Sequence, residues 1–252
     1  MTTLSPKELE RYARHLVLPE VGGPGQQKLK NARVLVIGAG GLGSPIVLYL
    51  AAAGVGTIGL VDDDVVSLSN LQRQVIHDTG AVGELKTKSA ASSVQRINPH
   101  VKIEAHNCRF EASNAMELAS AYDIVADGSD NFTTRYLAAE ICEQVGVPLV
   151  SAAVGRFDGS ITTLKPFETN DKGEQNPRYT DIFPGKPPEG LLPSCAEAGV
   201  LGALTGVIGS MQALEVIKEI TGTGESLVGT LLLYDSMTTR FERVRYRRKK
   251  AK

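Results

Sequence analysis

The sequence predicts an α/β fold with a doubly wound, mostly parallel, Rossmann-like sheet, helices on both of its faces and an antiparallel C-terminal extension. Short runs rich in β-branched residues alternate with helical segments, as expected for parallel strands joined by helices. A glycine-rich loop follows the first of these runs and opens a helix, which is typical of a nucleotide-binding βαβ unit. The alternation stops near residue 155, and two strand-like segments close to the C-terminus predict a terminal hairpin.

The predicted elements follow in order along the chain. Ser5, Pro6 and Glu8 are typical of a capped helix start, so a helix is expected from residue 5 to about Arg14. Short helices are then predicted at residues 26–30, 42–53, 84–97 and 133–145. Buried strands are predicted at residues 33–37, 57–61, 101–105, 123–126 and 148–151.

The segment beyond the predicted nucleotide-binding core, residues 30–155, has a different character. Residues 160–164 alternate like an exposed strand, and residues 166–194 form a long polar loop rich in Pro and Gly. An apolar helix is predicted at residues 200–220. A hairpin is predicted from residues 230–235 and 241–246. No linker divides the chain, so residues 1–252 are expected to form a single domain, with the C-terminal helix and hairpin at about 199–246.

Composition narrows the class of protein. The 252 residues are 42% hydrophobic and carry a net charge of −1, so no overall charge indicates nucleic acid or membrane as a partner. The N-terminus has no apolar signal core, and the apolar stretches are too short to span a bilayer. A cytoplasmic location is expected. Three widely spaced cysteines without a CxxC pair argue against a zinc site or a disulfide framework.

A glycine-rich loop, residues 38–43 (GAGGLG), fits the pattern G-x-G-x-x-G between a predicted strand and a predicted helix. Gly38, Gly40 and Gly41 let the backbone approach a phosphate closely, and the helix N-terminus adds free N–H groups and a positive dipole end. Asp62 ends the next strand, where its carboxylate can accept hydrogen bonds from ribose hydroxyls. The pattern predicts a bound nucleotide but does not distinguish ATP from NAD.

Residues beyond the glycine loop favour ATP. Asn70, Arg73 and Lys86 follow the ribose-binding aspartate, and Asp130 follows the fourth predicted strand. These side chains can converge on the phosphates of one nucleotide, because the carboxyl ends of parallel strands share an edge. Arg73 and Lys86 would neutralise charge as a carboxylate attacks the α-phosphorus, and Asp130 would hold Mg²⁺. Each of these residues also has a purely structural interpretation. Arg73 and Lys86 could be ordinary surface charges, and Asp130 could be the N-cap of a helix.

Seven blocks of the sequence resemble the sulfur-carrier adenylyltransferases of molybdopterin and thiamine biosynthesis, the MoeB, ThiF and HesA group, which are relatives of the ubiquitin-activating enzymes. The similarity runs from about residue 8 to residue 246 and is closest to the molybdopterin branch, through SLSNLQRQ and RINPH. The blocks are RYARHLVLPEVG (11–22), GAGGLGSP (38–45), VDDDVVSLSNLQRQ (61–74), GELKT (83–87), RINPH (96–100), DGSDNFTTR (127–135) and PSCAEAGVLG (193–202).

The resemblance implies ATP-dependent adenylation of the C-terminal Gly-Gly carboxylate of a small ubiquitin-like sulfur-carrier protein. Pyrophosphate would be released, and the acyl-adenylate would serve later sulfur transfer in molybdopterin cofactor biosynthesis. Asp130 would bind Mg²⁺ and be required for catalysis, together with Arg73 and Lys86. Arg14 would reach across a homodimer into the phosphate site of the partner. The resemblance assigns nucleotide contacts to Gly41, Asp62, Asn70, Arg73 and Lys86.

Two features concern cysteine. Relatives carry two CxxC pairs that bind a structural zinc, one of them near residues 178–184, and this chain has neither pair. Zinc is therefore expected to be absent, which would leave residues 166–194 without an anchor and mobile. Cys195 matches the family's cysteine ahead of a helix, where a thiolate would be stabilised. It is either a reactive thiol or a small packed side chain.

Other functions remain open at this point. The thiamine branch and other sulfur-carrier pathways share the chemistry. An NAD(P)-dependent oxidoreductase could use the same sheet and glycine loop. A non-catalytic binding scaffold is a third possibility, but the set formed by Arg73, Lys86 and Asp130 argues against it.

Overall fold

Eight strands form one sheet in the order β3-β2-β1-β4-β5-β6-β7-β8. The computed structural model of the protein describes residues 3–185 and 199–249. Neighbouring strands are parallel from β3 to β5 and antiparallel from β5 to β8. The predicted strands are all present: β1 (Arg33–Ile37), β2 (Thr57–Val61), β3 (Lys102–His106), β4 (Ile124–Asp127), β5 (Leu149–Val154), β6 (Asp158–Leu164), β7 (Thr230–Asp235) and β8 (Arg240–Arg245).

Helices cover both faces of the sheet, as predicted. The helices of the described residues are α1 (Pro6–Arg11), α2 (Ala13–Leu16), α3 (Gly22–Asn31), α4 (Gly43–Ala53), α5 (Lys86–Ile97), α6 (Ala115–Ser120), α7 (Phe132–Val145), α8 (Tyr179–Ile182) and α9 (Gly202–Thr221). Helices α3, α4, α5 and α9 pack in one apolar core, and α6, α7 and α8 contribute to the other. No helix of residues 3–185 and 199–249 has the length and apolar character to cross a membrane.

Side-chain alternation along the central strands separates the two cores. Val34 and Val36 of β1 are fully buried against α4 and α9, whereas Leu35 and Ile37 are buried on the opposite face with α7. Successive side chains of a strand point to opposite faces of a sheet, so a strand buried on both sides reads as a continuous apolar run. The RVLVI sequence of β1 has this character, which is why its burial could be predicted.

The predictions for three elements were wrong. The helix expected from residue 5 to about Arg14 is divided in two, because α1 ends at Arg11 and α2 begins at Ala13. The short helix expected at residues 26–30 begins earlier, at Gly22, because Pro24 sits in the first turn of α3, where a missing N–H costs nothing. The exposed strand expected at residues 160–164 is instead largely buried. Strand β6 pairs on both sides, with β5 and β7, and α9 packs on it through Ile208. A buried polar side chain of β6 finds its hydrogen-bond partner within the protein, because Thr163 Oγ1 donates to Glu215.

The C-terminal segment anchors the loop that follows β6. Arg248 Nη1 donates to the carbonyl oxygens of Pro166 (3.2 Å) and Asn176 (3.0 Å). The Lys249 N–H donates to Asp181 Oδ1 at 3.0 Å. The expectation that residues 166–194 lack an anchor is therefore wrong for residues 166–185, because these hydrogen bonds connect them to the basic C-terminal segment. Residues 186–194 lie outside the described residues.

Arg248→Ala is expected to loosen the loop at residues 166–183. Removing the two hydrogen bonds from the guanidinium to loop carbonyls should lower the local free energy of opening by about 1–3 kcal/mol. Hydrogen exchange of the loop amides measures this change. Arg247→Ala is the matched control, since Arg247 is exposed. Equal protection of the loop in the two variants would contradict the anchoring role.

Glu8 is expected to make stability depend on pH. Its carboxylate accepts from Lys30 Nζ and from the Ser5 N–H, both at 2.8 Å. Burial acts to raise the pKa of Glu8, but these hydrogen bonds outweigh burial and lower the pKa to about 2. A lowered folded-state pKa gives stability that is present above the ordinary pKa of 4.5 and is lost as pH falls towards 2.

The melting-temperature gap between the wild type and Glu8→Gln should therefore be largest near pH 7 and shrink steadily towards about pH 3. Glu10→Gln, on the exposed side of α1, should show no such gap at any pH. A gap for Glu8→Gln that is constant across this range would show that the carboxylate charge has no part in stability.

Candidate nucleotide-binding site

A cleft lies at the carboxyl ends of β1, β2 and β4. The strand order runs outward from β1 in both directions, so the sheet changes direction between β1 and β4. In open parallel sheets, ligands bind outside the carboxyl ends of the strands at such a point. The residues lining the cleft include Gly38, Gly40, Gly41, Asp62, Asp63, Asp64, Arg73, Gln74, Lys86, Arg109, Asp130, Arg135, Val154 and Thr205.

The glycine loop forms the floor of this cleft and leads into α4. Gly38 has φ +91°, in the left-handed region that favours glycine, and a Cβ there would lie 3.2 Å from the carbonyl oxygen of Gly128. A Cβ at Gly43 would lie only 1.9 Å from the carbonyl oxygen of Gly38. Glycine at these positions therefore allows the loop to close tightly. The first turn of α4 then points its N-terminus at the cleft.

Asp62 fixes the glycine loop from the end of β2. Its Oδ2 accepts from the Ala39 N–H at 2.7 Å, and its Oδ1 accepts from the Asp64 N–H at 2.9 Å. Burial raises the pKa of Asp62, while the Lys86 ammonium and these two N–H groups act against that rise. The carboxylate therefore holds two backbone segments at once while it lines the cleft.

His77 contacts the carbonyl of the same residue, Ala39. Its Nε2 lies 3.0 Å from the carbonyl oxygen of Ala39, and its Nδ1 lies 2.9 Å from Ser89 Oγ. The carbonyl can only accept, so Nε2 carries the proton and Nδ1 accepts from Ser89. Burial lowers the pKa of His77, which favours this neutral form. The imidazole therefore connects the glycine loop to α5.

Lys86 brings a buried positive charge to the cleft. It is the first residue of α5, as the sequence predicted for a helix start, and is 5% exposed. Its Nζ lies 2.7 Å from Asp64 Oδ2 and 3.9 Å from Asp62 Oδ1. The Asp64 side chain is 67% exposed, so this partner can move into solvent. The ammonium is thus already desolvated and faces a partner that is easily displaced.

Arg73 and Asp130 complete the charged lining. Arg73 is half-buried, and its Nη1 donates to the Ser69 carbonyl at 3.2 Å. The alternative role of Asp130 as a helix N-cap is wrong, because Asn131 caps α7 by accepting from the Thr134 N–H at 2.9 Å. Asp130 is exposed and lines the cleft, where its carboxylate is available to a ligand.

Two residues singled out from the sequence, Asn70 and Arg14, do not line the cleft. Asn70 does not line it; its Oδ1 accepts from the Ser67 N–H at 3.3 Å within a short 3₁₀ turn. Arg14 lies exposed on α2 and does not line the cleft of its own chain. Cys195 lies outside the described residues. The other predicted residues, Gly38, Gly40, Gly41, Asp62, Arg73, Lys86 and Asp130, do line the cleft together.

Sequence reasoning missed several residues of the cleft. Arg109 follows β3 at the ligand edge, and its position there was a usable signal. Gln74 and Arg135 are buried, and Gln74 Oε1 and Arg135 Nε lack a hydrogen-bond partner among residues 3–185 and 199–249. No periodic pattern distinguishes these two from core-facing positions. Within the same ranges, no group of three His, Cys, Asp or Glu side chains could hold a metal ion. The absence of zinc stays a prediction.

A groove of about 300 Å³ opens beside the cleft, on the face of the sheet opposite α9. Its lining along β6 and β7 consists of alternate residues, because Ser160, Thr162, Leu231 and Leu233 share one face of the antiparallel strands. Arg135 and Val154 line both the groove and the cleft. The two cavities therefore adjoin at these residues.

Comparison with known proteins identifies relatives over nearly the whole chain. It is 48% identical over 98% of its length to a probable adenylyltransferase/sulfurtransferase MoeZ of Mycobacterium tuberculosis, of which it spans 62%. It is 47% identical to the SAMP-activating enzyme E1 of Haloferax volcanii, over 97% of this chain and 88% of the relative. It is also 47% identical to a sulfur carrier protein adenylyltransferase of Thermus thermophilus, over 96% of this chain and 89% of the relative.

Solved structures share the fold at low sequence identity. E. coli MccB crystallised with ATP matches with a TM-score of 0.82 and 21% identity, over 97% of this chain and 73% of that one. The crystal structure of PaaA matches with a TM-score of 0.81 and 23% identity, over 99% of this chain and 76% of that one. The model of the ThiF family matches residues 12–252. The relatives and this match together show that the chain belongs to the ThiF family.

Proposed function

We propose that the chain adenylates the C-terminal Gly-Gly carboxylate of a small ubiquitin-like sulfur-carrier protein, using ATP and releasing pyrophosphate. One observation carries the proposal. The glycine loop, a ribose-type aspartate (Asp62), two cations (Arg73 and Lys86) and a free carboxylate (Asp130) line one cleft, and a groove opens directly off it. A nucleotide-binding cleft with cations and a second entrance suits a reaction between ATP and a macromolecular carboxylate.

The names of the relatives support the chemistry. Two proteins of similar length are a sulfur carrier protein adenylyltransferase and a SAMP-activating enzyme E1. Adenylyl transfer is named for the Thermus thermophilus protein and for MoeZ, of which this chain spans 62%, and activation is named for the Haloferax volcanii enzyme.

The nucleotide would lie across the carboxyl edge of the sheet. Asp62 would accept from the ribose hydroxyls, and the glycine loop with the N-terminus of α4 would meet the phosphates. Lys86 would exchange its contact with the exposed Asp64 for a phosphate oxygen. This exchange costs little, because the lysine is already desolvated while Asp64 returns to water. Arg73 would neutralise further charge on the phosphates.

Magnesium fits the residues present. Mg²⁺ typically binds through one or two carboxylates together with phosphate oxygens and water, so the exposed Asp130 carboxylate suffices as the protein's ligand. The ion, when bound, would supply charge neutralisation at the phosphates.

The carrier tail would enter through the groove along β6 and β7. A Gly-Gly terminus has no side chains and could therefore follow the groove, whose lining includes Leu233, towards Arg135. An oxygen of its carboxylate would then bond to the α-phosphorus as the bond from that phosphorus to the bridging oxygen of pyrophosphate breaks. No proton transfer is required, so the chain's task is to align the anions and to offset their charge.

The homodimer is part of the proposal. Three large apolar side chains are exposed: Val17, which follows the helix that carries Arg14, Tyr49 on α4 and Leu214 on α9 are 71%, 56% and 58% exposed. Apolar surface of this kind is a common sign of a protein interface. Arg14, exposed beside it, would then reach the phosphates in the partner's cleft.

We assign the chain to molybdopterin cofactor biosynthesis. Residues 67–74 and 96–100 resemble the molybdopterin branch of the family. In that branch Cys195 would be dispensable, whereas in the thiamine branch it would form a link to the carrier. After incubation with ATP and the carrier, the intact mass of the protein should therefore show no covalent link between Cys195 and the carrier.

Asp130→Ala is expected to reduce ATP–pyrophosphate exchange by about 10²–10³-fold, because the phosphates lose the carboxylate that holds the metal. Exchange is measured with radiolabelled pyrophosphate and purified ubiquitin-like proteins ending in Gly-Gly. Asp171→Ala removes an exposed carboxylate outside the cleft and should exchange at the wild-type rate. Failure of the wild-type protein with every such carrier, or tighter binding of NAD than of ATP, would overturn the proposed function.

Mixing Arg14→Ala with Asp130→Ala is expected to restore activity that neither variant has alone. A mixed dimer has one cleft with Asp130 present and with Arg14 supplied by the other subunit. Random assembly of the two variants should give about a quarter of the wild-type exchange rate.

The control for this complementation is Arg14→Ala mixed with the double variant Arg14→Ala/Asp130→Ala, which contains no Arg14 and should stay inactive. Co-expression ensures that the subunits exchange. If the first mixture also stays inactive although mixed dimers form, Arg14 does not act across the interface.

A further inference from the structure

We infer that Arg135 binds the terminal carboxylate of the incoming carrier and holds it for attack on the α-phosphorus. This assignment rests on the proposed function and names a contact between the enzyme and its second substrate. Arg135 is 7% exposed, and it lines both the nucleotide cleft and the groove beside it. The two cavities adjoin at Arg135 and Val154, so the guanidinium lies near the boundary between them.

The guanidinium is held in a fixed orientation. Its Nη2 donates to the Ser129 carbonyl at 2.8 Å, and the side chain lies over the ring of Phe132, with Cζ 5.7 Å from the ring centroid. Ser129 belongs to the loop that follows β4, and Phe132 is the first residue of α7. The arginine is thus braced by the same segment that carries Asp130.

One donor of Arg135 is unpaired within the part of the chain that the structure describes. Its Nε has no hydrogen-bond partner in residues 3–185 and 199–249. Asp127 is the buried carboxyl nearby, and burial raises its pKa, while the Arg135 charge acts in the opposite direction. Asp127 is occupied by other donors, since its Oδ1 accepts from the Ser129 N–H at 3.0 Å and its Oδ2 from Ser151 Oγ at 3.4 Å.

A buried guanidinium with an unused N–H is costly unless an anion pairs with it. Two anions are available in the proposed reaction, a phosphate of ATP and the carrier's carboxylate. Arg73 and Lys86 already line the phosphate side of the cleft, and neither of them lines the groove. Arg135 alone among these cations lies where the groove meets the cleft, which favours the carboxylate.

The contact would act without proton transfer. One carboxylate oxygen accepts from Arg135, while the other oxygen forms its bond to the α-phosphorus and pyrophosphate leaves with the electrons of the broken bond. A charge-assisted hydrogen bond of this type contributes about a 10- to 100-fold effect on affinity.

The test compares a short synthetic peptide ending in Gly-Gly as the free acid and as the C-terminal amide. Binding to the wild type saturated with a non-hydrolysable ATP analogue should favour the free acid by about 10- to 100-fold. Arg135→Gln should lose this preference and bind both peptides alike, and Arg135→Lys should retain part of it. ATP affinity should be unchanged in both variants, which also shows that the cleft is folded.

Two results would overturn the assignment. One is a preference for the free acid that persists in Arg135→Gln or is missing in the wild type. The other is a fall in ATP affinity as large as the fall in peptide affinity, which would make Arg135 a phosphate ligand. Pyrophosphate exchange by the wild type separates these failures from failure of the proposed function. If exchange occurs and the preference does not depend on Arg135, only the role of Arg135 is wrong.

Discussion

The carboxylate of Asp62 is the contact on which the rest of the site depends. It accepts from the N–H groups of Ala39 and Asp64, and it faces the Lys86 ammonium. The glycine loop, the end of β2 and the start of α5 therefore share one buried anion. His77 donates to the Ala39 carbonyl, so two successive peptide groups of the loop are held by side chains. Such preorganisation avoids the cost of ordering the site during reaction.

This arrangement explains how the cleft can accept a polyanion. Lys86 is already buried, and the exposed Asp64 carboxylate stands where a phosphate oxygen would bind. The antiparallel half of the sheet provides the site for the second substrate in this proposal. Strands β6 and β7 form a groove that meets the cleft at Arg135. One substrate would enter at the carboxyl edge and the other along the sheet, so that the two anions meet between fixed positive charges.

Local patterns were enough to predict the sheet, the glycine loop and the shared edge of Asp62, Lys86 and Asp130, because strand period and parallel topology fix where these residues must lie. Side-chain direction was not predictable in the same way. The Asn70 side chain accepts a hydrogen bond within its own 3₁₀ turn. The burial of Arg135 could not be inferred from its position in a helix. These outcomes depend on contacts between segments that are distant in sequence, which periodicity does not encode.

The most direct test of the central claim is the mass spectrum of a Gly-Gly-ended carrier after incubation with the protein, ATP and Mg²⁺. The account predicts that the carrier gains the mass of one adenylyl group at its terminal carboxylate, that a C-terminal amide gains none, and that added pyrophosphate reverses the modification. Formation of ADP and phosphate without an adenylated carrier, or an adenylyl group on the amide form, would contradict it.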